Sequence, residues 1–119
     1  MTASARRVCQ TVQLRPERLE EYLELHRAVW DTVQARLRAS HITNYSIFRR
    51  GLTLVGYYEY SGTDYDADMA AVAADPETQR WWALTAPCQV DVEPGADGGP
   101  WRDLDEVWHL DAETGSVSR

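Results

Sequence analysis

Apolar and polar positions alternate along Arg6–Leu14, "RRVCQTVQL", with Val8, Gln10, Val12 and Leu14 on one side and Cys9, Thr11 and Gln13 on the other. A period of two is that of a strand with one buried face. Gln10 stands out as the polar member of the apolar side. Pro16 follows and suits the first turn of a helix, where its missing N–H costs nothing. From there Leu19, Tyr22, Leu23, His26, Val29, Trp30, Val33 and Leu37 recur at steps of three and four. Glu20, Glu21, Glu24, Arg27, Asp31, Arg36 and Arg38 fall outside that stripe, and the pattern predicts one long amphipathic helix.

"HITNYSIFRRGLTLVGYYEY" reads as two strands around a turn at Arg49 to Gly51, both rich in β-branched and aromatic residues. Strict alternation would put Ile42, Asn44, Ser46 and Phe48 on one face, and Thr43, Tyr45 and Ile47 on the other. In the second strand Leu52, Leu54, Gly56 and Tyr58 oppose Thr53, Val55, Tyr57 and Glu59. The Ala-rich stretch "SGTDYDADMAAVAADPETQRWWALTAPC" predicts two helices divided at Asp75–Pro76, where Asp75 can cap and Pro76 can sit first. "EPGADGGP", Glu93 to Pro100, reads as a mobile loop, "LDEVWHL" as a last short strand ending near Leu110, and residues 112–119 as a polar tail.

The predicted order is strand, helix, strand, strand, helix, strand. That is the α+β, ferredoxin-like split βαβ arrangement (βαββαβ), a single domain over residues 1–111 with helices on one face of an antiparallel sheet. The other face is left bare, and the chain is too short to supply another layer. A homodimer is therefore expected.

Composition narrows the partners. The 119 residues carry a net charge of −7, which argues against nucleic acid, because phosphate binding draws on clustered Lys and Arg. A hydrophobic share of 44% and a charged share of 26% are those of a globular protein. Only Cys9 and Cys88 are present, so a disulfide framework is not expected, and neither lies at a zinc-like spacing from a histidine. There is no apolar signal core in "MTASARRVCQ" and no run long enough to span a bilayer. These features predict a cytoplasmic protein without a membrane partner. With no phosphate-cradling glycine loop and no dinucleotide fingerprint, no cofactor is expected.

The candidate chemistry centres on His26, the one side-chain type whose ordinary pKa lies near neutrality. In a helix its neighbours one turn away on either side are Tyr22 and Trp30. A lone histidine on an apolar stripe is commonly a core residue bonded to a carbonyl, so further features must decide. Asn44 and Tyr45 offer an amide and a phenol in a strand near the sheet centre. Trp81 and Trp82 are adjacent in a helix, where consecutive side chains point about 100° apart, so one helix rarely buries both. At least one indole is then free for a ligand or an interface, and indoles suit the C–H face of a sugar while their N–H donates to a hydroxyl. Glu59 and Glu106 are weaker candidates because the pattern does not fix which face of their strands they occupy, and His41 and His109 because neither has a partner at a recognisable metal spacing.

These residues coincide with a known pattern. Through "RPERLEEYLELHRAVW", "ITNYSIF", "ADPETQRWW", "APCQ" and "LDEVWHL", residues 6 to 111 closely resemble the L-rhamnose mutarotase family. The resemblance implies a dimeric α+β barrel of ferredoxin-like subunits that interconverts the α and β anomers of a free 6-deoxy-L-sugar without metal or coenzyme. It implies that His26 is the proton donor and that Tyr22, Tyr45, Trp81 and Trp82 bind the sugar; beside these five, Asn44, Trp30 and Gln10 are candidate supporting residues on the chain's own pattern. The sequence departs from the family in two places. "HRAVW" lacks a proline common after the family's histidine, and Ile42 stands where a small residue is often found, which bears on sugar preference more than on the reaction.

The chemistry fits independently, since opening a hemiacetal needs only an acid and a base. Two other readings use the same residues. One is a cofactor-independent monooxygenase or aromatic-polyketide enzyme on the same dimeric barrel, and the other is a noncatalytic binding domain whose aromatic cluster is a partner surface.

Overall fold

A computed structural model of the chain describes residues 5–90 and 100–112. Its centre is β1, Arg6–Leu14, which pairs antiparallel with β3, Thr53–Tyr60, from Arg6 opposite Tyr60 to Gln13 opposite Thr53. β2, Ile42–Arg50, lies outside β3 as an edge strand. Along the other edge of β1 run two short pieces, β4, Gln89–Val90, and β5, Arg102–Asp103. The resulting order β2-β3-β1-β4, with β5 also on β1, is the antiparallel sheet expected of the split βαβ arrangement.

Helices cover one face. The β1 side chains Val12 and Leu14, with Leu54 of β3, form a buried cluster with Tyr22 and Cys88. Val8, Ile42, Tyr58 and Tyr60 form a second, against which Leu37, Tyr65 and Met69 pack. The helical pattern after Pro16 is broken, which corrects the expectation of one long helix. A 3₁₀ turn, Pro16–Arg18, leads into α1, Leu19–Leu25, and α2 begins only at Asp31 and runs to Ala39. At the break, the Nδ1 of His26 lies 3.0 Å from the Tyr22 carbonyl, which also accepts the His26 backbone N–H at 3.2 Å, the last i−4 bond of α1. The next amides fall back to shorter bonds, Arg27 to Glu24 and Ala28 to Leu25, and Trp30 turns extended at φ −59°, ψ 137° before α2 starts.

α3, Tyr65–Ala74, and α4, Pro76–Thr85, divide at Asp75 as the sequence indicates. The Asp75 carboxylate accepts the Thr78 amide at 2.9 Å, an N-cap, and Pro76 takes the first position. Two further expectations are corrected. Residues 104–110 are not a strand, because β5 ends at Asp103 and the backbone pairing with β1 stops at the Leu104 amide, which donates to the Cys9 carbonyl at 2.8 Å. Beyond it Val107, Trp108 and Leu110 stand exposed. In β2 the simple alternation also fails. Thr43 faces Glu59 and Ser46 faces Tyr57, so Asn44 and Tyr45 together oppose the single Tyr58. Asn44 takes φ +52°, and this β-bulge changes the parity of the strand. Ile42 before it and Ile47 after it both serve the helix-side core, while Phe48 is left 64% exposed. The predicted loop 93–100 lies, except for Pro100, outside the described residues, as does most of the 112–119 tail.

Candidate active site

The end of α1 supplies the first two groups. Tyr22 and His26, one turn apart, stack with ring centroids 4.2 Å apart and planes at 24°. A carbonyl can only accept, so the His26 Nδ1 bonded to the Tyr22 oxygen must carry the proton in the neutral ring, and Nε2 is the lone-pair nitrogen. Burial lowers the His26 pKa from the ordinary 6.5, partly opposed by that backbone bond, and the ring is therefore mostly neutral at pH 7.

α4 brings the indoles. Thr78, Trp81 and Thr85 form its buried stripe, and the edge of the Trp81 ring meets His26 with centroids 5.3 Å apart. Trp82, the next residue, points away from that stripe and is 45% exposed. The two tryptophans thus divide as the 100° step requires. Trp30, carried by the break between α1 and α2, packs on Trp81 at 5.3 Å rather than continuing a column above His26.

The sheet supplies the rest. The bulge in β2 turns Tyr45 toward the helix-side face, where its ring lies 5.1 Å from that of Tyr58. Tyr45 is 42% exposed as a whole residue, and desolvation at its phenol, with a smaller effect from Tyr65, raises its pKa above the ordinary value. Tyr22, whose pKa is driven up mainly by burial and next by the neighbouring Tyr45, keeps its proton as well. Two phenols that keep their protons, Tyr22 and Tyr45, therefore stand close enough to influence one another, and the first of them is stacked on the imidazole.

Other expected residues have different partners. The Asn44 amide donates to Glu59 Oε1 at 2.8 Å, and the Gln10 amide donates to Asp103 at 2.8 Å. Glu106 pairs with Arg7, and His41 lies 3.1 Å from Asp68. Among the described residues no group of three or more His, Cys, Asp and Glu is placed to hold a metal. Nor is any helix among them long and apolar enough to cross a membrane.

Residues not singled out in the sequence also enter. The buried Gln89, whose side chain hydrogen-bonds the Tyr22 hydroxyl, follows directly on the "APC" turn. Trp101 lies over Gly56 so closely that a Cβ there would meet its ring at 3.3 Å, with the Tyr45 ring at 3.8 Å. The missing side chain of Gly56 on the buried face of β3 was the only trace of that ring in the sequence.

The model of the L-rhamnose mutarotase family matches residues 7–110. The chain belongs to the L-rhamnose mutarotase family. Members of this family are carbohydrate isomerases, and this chain is one of them. An L-rhamnose mutarotase from Opitutus terrae is 38% identical over 76% of this chain and 85% of its own length. An L-fucose mutarotase from Xanthomonas campestris is 34% identical over 90% of each. The crystal structure of an L-rhamnose mutarotase from Formosa agariphila superposes with a TM-score of 0.69 at 24% identity, covering 89% of this chain and 99% of that one. It shares the fold of the mutarotase family described above.

Proposed function

We propose that the protein interconverts the anomers of a free 6-deoxy-L-sugar, L-rhamnose first among them, by proton exchange at His26. One observation carries this reading. A neutral imidazole is fixed through Nδ1 to a backbone carbonyl, with the Tyr22 ring stacked on it and the Trp81 ring packed edge-to-face against it. Nε2 takes the proton of the anomeric hydroxyl as the bond from C1 to the ring oxygen breaks, and the ring oxygen gains a proton through water. The open aldehyde turns about C1–C2 and presents its other face. As the ring oxygen attacks and gives up its proton, the imidazolium returns one to the carbonyl oxygen, so His26 is the base in opening and the donor in closing. General acid–base catalysis of this kind contributes about 10²- to 10⁴-fold.

Tyr22 divides its duties. Its carbonyl orients the imidazole, which leaves its hydroxyl, held by Gln89, available to a sugar oxygen. Tyr45 binds the sugar from the sheet side, and Trp81 and Trp82 offer apolar surface to the C–H face and the methyl group. The names of the Opitutus and Xanthomonas relatives support the sugar class, and they differ in the sugar they name.

The sheet face that the described residues leave uncovered supports a homodimer in the same reading, since Phe48 is 64% and Trp108 76% exposed beside it. A second copy laid over that face would cover both.

Saturation transfer between the α and β anomer resonances of L-rhamnose, with L-fucose and L-lyxose run beside it, tests the function. The expected result is faster exchange of L-rhamnose with protein than without. Acceleration of none of the three sugars would overturn the reading. Sedimentation equilibrium at twice the monomer mass is the expected outcome for the dimer.

A further inference from the structure

Tyr45 reaches the helix-side face only because β2 is bulged, and a bulge needs something to hold it. The residue that makes it, Asn44, sits at φ +52°, a backbone region that asparagine enters more readily than most residues but that is still uncommon. Its side chain does not enter the site. The amide crosses to β3 and donates to Glu59 Oε1 at 2.8 Å, while the Tyr57 hydroxyl donates to Glu59 Oε2 at 2.8 Å. Both carboxylate oxygens are thus occupied, and the Glu59 pKa is lowered by these two bonds, Asn44's first.

The geometry points to a function for this cluster. We infer that Asn44, Glu59 and Tyr57 form a clamp across β2 and β3 that fixes the bulge and so aims Tyr45 at the sugar. The clamp residues are positioning residues, and the inference rests on the assignment of Tyr45 to the sugar site under the proposed function.

Parity explains why the clamp acts on this one side chain. Thr43 opposes Glu59 and Ser46 opposes Tyr57, so regular pairing resumes on both sides of the bulge. Ile42 is anchored in one core cluster and Ile47 in the other. The strand can change parity only between them, at the extra residue. Without the bulge, a strand entering with Ile42 inward would carry Tyr45 outward, since neighbours alternate. Glu59 holds Asn44 in the one conformation that avoids this.

The test is a double-mutant cycle on sugar kinetics. Asn44→Ala and Glu59→Ala each raise KM for L-rhamnose about three- to tenfold, as expected for a hydrogen bond from Tyr45 that is lost or misplaced, and largely spare kcat. Glu59→Gln, whose amide oxygen still accepts from Asn44, restores the KM. Asn44→Gly, which adopts positive φ freely, falls between wild type and Asn44→Ala. In a Tyr45→Ala background, Asn44→Ala costs nothing further. An additive cycle, or an unchanged KM in Glu59→Ala, overturns the inference. A structural readout separates this from failure of the proposed function. Whether or not the protein accelerates any sugar, the nuclear Overhauser contact between the Tyr45 and Tyr58 rings is expected in wild type and lost in Asn44→Ala and Glu59→Ala, and its persistence in both variants also overturns the clamp. If Asn44→Ala fails to fold, Glu59→Ala carries both measurements.

Discussion

His26 and His41 are the same side chain in two surroundings, and each has Nδ1 engaged. At His26 the partner is the neutral carbonyl of Tyr22, and the rest of the shell is aromatic, with Tyr22 stacked on one face and Trp81 at an edge. At His41 the partner is the carboxylate of Asp68, 3.1 Å away, which also accepts from the Tyr60 hydroxyl. The Tyr60 bond and then His41 hold the Asp68 carboxyl below its ordinary range. The carbonyl orients the His26 ring through a single hydrogen bond, while the carboxylate joins His41 to the Tyr60 hydroxyl as well. Partial burial can then tip His26 to neutral with Nε2 ready to accept, whereas the carboxylate pairing makes His41 a tie between the start of β2 and α3. The partner atom, more than the residue type, separates a proton carrier from a strut.

The contrast is broken most directly at His26. His26→Ala is expected to lower the catalysed anomer exchange by about two orders of magnitude or more, the share assigned to acid–base catalysis. Saturation-transfer rates at several sugar concentrations measure it, and a variant within tenfold of wild type would return His26 to the core. The pH profile gives the sign. The reactive form is neutral and burial lowers the pKa below 6.5, so kcat/KM is full above that pKa and lost as pH falls through it. The midpoint of the acid limb is expected below 6.5, and a rate that rises on acidification would contradict the assignment.

Tyr22→Phe sharpens the same contrast, because it removes the hydroxyl and keeps the carbonyl. A lost hydrogen bond of about 0.5–1.5 kcal/mol corresponds to roughly a two- to tenfold rise in KM. The acid limb should stay where it is, because the imidazole is still held through Nδ1. Movement of the limb in Tyr22→Phe would mean that the phenol, rather than the backbone, sets the protonation of His26.

Much of this was legible in the chain because it depends on local periodicity. The alternation in β1, the cap at Asp75 with Pro76 behind it, and the divergence of Trp81 from Trp82 all follow from spacing, and each is found. The misread parts share a different physics. The break after α1, where the amides of Arg27 and Ala28 reach only three residues back, is something an apolar stripe does not reveal. The face of Tyr45 depends on a bulge held by Glu59, fifteen residues away, and alternation within β2 alone assigned it together with Ile47 but opposite Ile42. Leu104–Leu110 has the composition of a strand, but its backbone pairing with β1 ends at the Leu104 amide on the Cys9 carbonyl. Trp101 follows a glycine-rich stretch of sequence with no period at all, and the gap at Gly56 makes room for it. Periodicity reports which residues want burial, and long-range hydrogen bonds decide which way they finally face.

The smallest expected effect is the one at His41, and it bears on the comparison from the other side. His41 holds φ +68°, which a non-glycine residue adopts rarely, and its ring sits at the edge of Tyr60 as well as on Asp68. If the carboxylate pairing confines it to a structural tie, His41→Ala leaves the anomer exchange rate and its acid limb unchanged. His41→Gly does the same while relieving the backbone of its positive-φ cost, so its melting temperature is expected above that of His41→Ala. A loss of exchange in both variants, with the fold intact by circular dichroism, would place a second proton carrier at the start of β2 and erase the distinction between the two histidines.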